Sequence, residues 1–125
     1  MTDLDIGPGQ MKVLRVLWEK KRVTAQEMTN ILNATEPIKF STVSTFLRSL
    51  VKKGVAKYDV ADRTYIYYPV VQQEKVANHA VRGLIDHMFA GSTDGFVSFI
   101  LKSGDLSSDE LEKVRALVED EQGIK

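Results

Sequence analysis

The chain has 125 residues and no cysteine, so it fits one domain, or two small pieces, and excludes disulfide frameworks, thiol catalysis and thiolate metal sites. With 43% hydrophobic and 27% charged residues it is of globular composition, not wholesale disordered. The net charge of zero hides two opposite halves: residues 1–71 hold eleven Lys and Arg against seven acids (net +4), and residues 72–125 hold six against ten (net −4).

Gly7-Pro8 opens a first helix of about 8–21, with Met11, Leu14, Leu17 and Trp18 at helical spacing. Thr24 and Glu27 form a capping box, with Val23 placed to staple onto Met28, and predict a second helix over 25–33. Glu36-Pro37 breaks the chain. Ser41 is then expected to cap a third helix ending at Lys53, with Val43, Phe46, Leu47, Leu50 and Val51 as its apolar stripe and Gly54 as its stop. Two β-rich segments follow, 55–60 and 64–71, joined by Ala61-Asp62-Arg63 as a hairpin loop. Beyond Val71 the pattern is helical throughout. It gives a helix over 73–89, a second capped by Ser92, and a last one over 108–121 behind a second capping box at Ser107 and Glu110.

This order defines the fold class: mainly α with a small β-hairpin, a winged helix-turn-helix over 1–71 followed by a three-helix dimerisation domain over 72–125. With Val43, Leu47 and Leu50 turned inward, Ser41, Thr45, Arg48 and Lys52 face outward, flanked by Thr42 and Ser49. That face carries no acid. Hydroxyls near the helix N-terminus suit base edges and phosphates, and Arg48 and Lys52 follow them. Lys39 ahead of the helix and Arg63 at the hairpin tip complete the expected contacts to double-stranded DNA, with Lys57 as a further phosphate-facing cation.

The fifth helix, with Phe96, Val97, Phe99, Ile100 and Leu101, is apolar nearly all round and needs burial all round. Some 54 residues bury little surface alone, so a second copy of the chain is the expected cover. The expected homodimer contacts are Val81, Leu84, Ile85, Met88, Phe89, Phe96, Phe99, Ile100, Leu111 and Leu117.

The chain resembles the penicillinase repressors of the BlaI and MecI type from Ile6 to about Val118. The resemblance is carried by 11–18 (MKVLRVLW), 23–27 (VTAQE), 41–54 (STVSTFLRSLVKKG), 65–70 (YIYYPV) and 89–92 (FAGS). It implies a homodimeric repressor whose N-terminal winged helix binds a palindromic operator. Phe40 stands where the family commonly has Trp, and Asp62-Arg63 replaces the usual Gly-Arg of the wing tip. The cysteine motif of copper-responsive members is absent, and Phe99-Ile100 occupies the place of the Asn-Phe bond cut in other members. The resemblance leaves an inducing protease or sensor as a further partner, with Lys102-Ser103-Gly104-Asp105 as the exposed point for cleavage.

No catalytic residue, metal site or cofactor is expected. His79 and His87 are eight residues apart on one helix, and there is no Gly-rich phosphate loop, HExxH or nucleophile elbow. Met1-Thr2-Asp3-Leu4-Asp5 has neither the positive nor the apolar region of a signal peptide, and no apolar run approaches the roughly 18 residues of a membrane span. A cytoplasmic protein with no membrane partner is the expectation. Two other readings stay open: a winged-helix protein-interaction adaptor, and a ligand-sensing regulator of an unrelated regulon.

Overall fold

The computed structural model describes residues 2–104 and 106–122, with side chains in the last helix up to residue 116. Six helices and three short strands follow one another: α1 (Pro8–Lys20), β1 (Val23–Thr24), α2 (Ala25–Asn33), α3 (Phe40–Lys52), β2 (Ala56–Ala61), β3 (Thr64–Pro69), α4 (Gln73–Met88), α5 (Thr93–Ser103) and α6 (Ser108–Gln122). They form two compact units, Met1–Gln73 and Glu74–Lys125.

In the first unit Gly7 caps α1, and the Gln10 side chain accepts a hydrogen bond from the Gly7 N–H at 2.9 Å. The Thr24–Glu27 box forms as predicted: Thr24 Oγ1 accepts from Glu27 N–H at 3.1 Å and Glu27 Oε1 from Thr24 N–H at 2.8 Å. α3 departs from expectation at its start. Lys39, not Ser41, is its N-cap, and it makes no side-chain cap bond. Ser41 therefore sits inside the first turn.

The hairpin is a three-stranded antiparallel sheet in the order β1-β3-β2, because Val23 and Thr24 pair with Tyr67 and Ile66. Val23 is thus a buried strand residue as well as the lead into α2. The wing turn is tighter than the expected three-residue loop. Ala61 pairs with Thr64, and Asp62 and Arg63 make the turn at φ 51° and 65°, the positive-φ pair of a type I′ hairpin.

Val13, Leu14, Leu17, Met28, Val43, Leu47, Leu50 and Val55 are fully buried and hold the three helices to the sheet. α1 and α3 approach closely at Gly9, where an added Cβ would run into the Phe46 ring. Gly9→Ala should therefore cost about 1–3 kcal/mol through overpacking, read as a lower denaturant midpoint at unchanged m. A midpoint at or above the parent value would contradict this packing.

In the second unit Ile85 and Phe96 form the core, with Val81, Phe89, Val97, Ile100 and Val114 packed against them. Phe89 meets Phe96 edge-on at 5.7 Å. Ser92 caps α5 by accepting from Gly95 N–H at 2.9 Å, and Ser107 and Glu110 close the box that starts α6.

Candidate nucleic-acid interface

α3 is placed by its neighbours before it can present anything. Ahead of it, the Asn33 amide donates to the Thr29 carbonyl and to the Ile38 carbonyl, both at 2.9 Å, and accepts from Ile38 N–H at 3.0 Å. This clamp fixes the turn between α2 and α3. Lys12, from α1, pairs with Glu36 in that turn, and its hydrogen bond and charge hold the Glu36 carboxyl below the ordinary glutamate range. Behind α3, the Gln10 amide donates to Ser49 Oγ, and Lys53 bonds Gln10 and the Asp5 carbonyl. Ser49, expected at the flank of the outward face, is half-buried and turned to α1.

Lys39, Ser41, Thr45, Arg48 and Lys52 are exposed, and Thr42 is half-buried. The Thr45 hydroxyl donates to the Ser41 carbonyl at 3.0 Å, and Arg48 Nη2 reaches Thr45 Oγ1 at 3.4 Å. The guanidinium is thereby aimed along the helix with its remaining donors free. Arg63, at the wing tip, is exposed as well. Lys39, Arg48, Lys52 and Arg63 make no ion pair among the described residues. Arg22 is spent differently: it pairs with Asp59 at 2.6 Å and lies over the Tyr68 ring at 5.1 Å. Lys12, Arg22 and Lys53 thus brace the fold, while the cations of α3's outward face and the wing tip stay exposed.

Sequence reasoning missed Asn33 and Gln10. An Asn as the last residue of a helix, ahead of a turn, is a visible signal for the first. Gln10 leaves none, since its partners lie far along the chain.

The expected homodimer contacts differ in exposure. Ile85 and Phe96 are spent within the second unit's own core, because α4 and α5 close on each other there. Leu84, Met88 and Phe99 are exposed, Met88 by 71% and Phe99 by 60%, and Leu101 joins them. Val81, Phe89, Ile100 and Leu111 are half-buried. The Leu117 side chain lies outside the described residues, as does Asp105, while Lys102, Ser103 and Gly104 are exposed.

Among the described residues no helix is long and apolar enough to cross a membrane, and no group of three His, Asp or Glu side chains is placed to hold a metal ion. A family profile described as penicillinase repressor matches residues 6–120. The chain belongs to the penicillinase repressor family. This is a family of repressors, not of enzymes. The penicillinase repressor of Bacillus licheniformis is 21% identical over 120 residues, 96% of this chain and 94% of that protein. The methicillin resistance regulatory protein MecI of Staphylococcus aureus strain N315 is 22% identical over 114 residues, 91% and 93% of the two chains. The DNA-binding domain of the repressor BlaI superposes with a TM-score of 0.53 at 24% identity, over 58% of this chain and 90% of that one. A MarR mutant from E. coli complexed with operator DNA gives 0.52 at 18% identity, over 94% and 76%. The fold is that of winged-helix proteins.

Proposed function

We propose that the chain is a dimeric transcriptional repressor that binds a palindromic operator through its winged helix, as a regulator of β-lactam resistance genes. The observation that carries this reading is the acid-free outward face of α3, with Arg48 braced on Thr45 and its remaining donors open. Ser41, Thr42 and Thr45 meet base edges and phosphates near the helix N-terminus, and Arg48 reads a base in the major groove. Lys39 and Lys52 hold the backbone on either side, and Arg63 reaches a phosphate from the wing tip. The exposed Leu84, Met88 and Phe99 supply the face on which a second copy closes, with the half-buried Val81, Phe89, Ile100 and Leu111 behind it. Membership of a repressor family and a relative named as the penicillinase repressor support the reading.

The test is enrichment of a random duplex pool on the purified chain. The expected winner is an inverted repeat whose half-sites lie one or more helical turns apart. Failure to enrich any sequence would refute the proposal. On the enriched duplex, Arg63→Ala should weaken binding and flatten the dependence of log K on log salt by about one per wing. An unaltered slope would remove Arg63 from the interface.

A further inference from the structure

The wing carries a feature that its charges do not account for. In the β2–β3 register Tyr58 lies opposite Tyr67, and Val60 opposite Tyr65, so all four side chains share one face of the hairpin. The Tyr58 and Tyr65 rings stack in parallel at 4.4 Å and 7°, and they tilt onto Tyr67 at 5.7 and 6.3 Å. Only the inner end of this ladder serves the core. Tyr67 is buried, whereas Tyr58 is 41% and Tyr65 47% exposed. At the inner end Tyr67 lies within reach of the Arg48 charge: burial pushes its phenol up, and that charge draws it partly back. The charged side chains Lys57 and Asp59 alternate onto the opposite face, where Asp59 pairs with Arg22 and Arg22 covers Tyr68. The face beside Arg48 is therefore aromatic and uncharged, and its free donors are phenol hydroxyls.

We propose that this ladder is a second, neutral DNA contact: Tyr58 and Tyr65 donate their hydroxyls to phosphates of the strand bordering the groove that α3 enters, and Val60 and the ring edges rest on deoxyribose. The proposal builds on the reading of α3 as the helix in the major groove. Tyrosine is among the side chains that bind phosphate, through an O–H that donates at neutral pH. Parallel stacking holds both rings in place before DNA arrives, so little side-chain freedom is lost on binding. A neutral donor leaves a signature that a cation does not. It adds affinity without neutralising a phosphate, so it leaves the salt dependence unchanged.

The experiment measures fluorescence anisotropy of a labelled duplex, taken from the enriched pool, with the full chain at several salt concentrations. The variants are Tyr58→Phe with Tyr65→Phe, which keeps both rings and removes both hydroxyls, and Arg63→Ala for comparison. The double Phe variant is expected to bind about tenfold more weakly at every salt concentration, with the parent slope and the parent Tm. Arg63→Ala is expected to flatten the slope. Should the double variant melt near the assay temperature, Tyr65→Phe alone carries the same test with a loss of about threefold. Parent-like affinity in the Phe variants overturns the contact and leaves α3's role standing. A flattened slope in them also overturns it, because the hydroxyls would then act through a charged neighbour. No DNA affinity in the parent chain overturns the ladder and the α3 reading together.

Discussion

Arg48→Ala should cost about 1–3 kcal/mol of operator affinity and relax the preference for one base in each half-site. The side chain leaves α3 on its outward face and leans on Thr45 Oγ1, which itself donates to the Ser41 carbonyl. This chain of bonds aims the guanidinium before DNA is met, and a bidentate contact needs such aim. Thr45→Ala should reproduce part of the loss by freeing Arg48 to wander. Arg48→Lys should not rescue specificity, since an ammonium keeps the charge but not the planar fork. The measurement is affinity for the enriched duplex and for single-base variants of it. Equal weakening on all sequences would make Arg48 a phosphate contact only, and unchanged affinity in both alanine variants would remove α3's outward face from the interface.

Met88→Asp with Phe99→Asp should leave a folded, monomeric chain whose affinity for the full operator falls by about 10²–10⁴. Both side chains lie largely in solvent, so the core formed by Ile85, Phe96 and their neighbours keeps its contacts. A second copy closing on this face would instead have to bury two carboxylates. The loss appears on DNA because linking two half-site contacts makes the second one intramolecular. Affinity for a single half-site should be unaltered. Sedimentation of the variant as a dimer at micromolar concentration would show that another surface pairs the chains, and parent-like operator affinity would show that pairing is not needed.

Much of the first unit was legible in the sequence because its helix ends are chemically explicit. Gly7-Pro8, the Thr24–Glu27 box and Gly54 each name a boundary, and the structure uses all three. The start of α3 was misplaced because Ser41 looks like a cap, whereas the N-cap position falls to the backbone of Lys39. β1 was missed for a different reason. Two residues have no periodicity, and the partner that makes Val23 a strand residue is Tyr67, far along the chain. The outward face of α3 could be read from helical geometry alone. Strand alternation likewise puts Tyr65 and Tyr67 on one face of β3, but the stacking of Tyr58 on Tyr65 depends on the β2–β3 register. In the second unit, periodicity showed an apolar α5 but not which side its own helices cover. That choice depends on how α4 and α5 close, and it sends Phe96 inward and leaves Phe99 out.

Two copies of this chain should read one symmetric duplex. A hydroxyl-radical footprint of the full chain on the enriched duplex tests it most directly. Two protected windows related by a twofold axis, one or more helical turns apart and lost together in Met88→Asp with Phe99→Asp, are the predicted result. A single window, or two windows that persist independently in that variant, would contradict it.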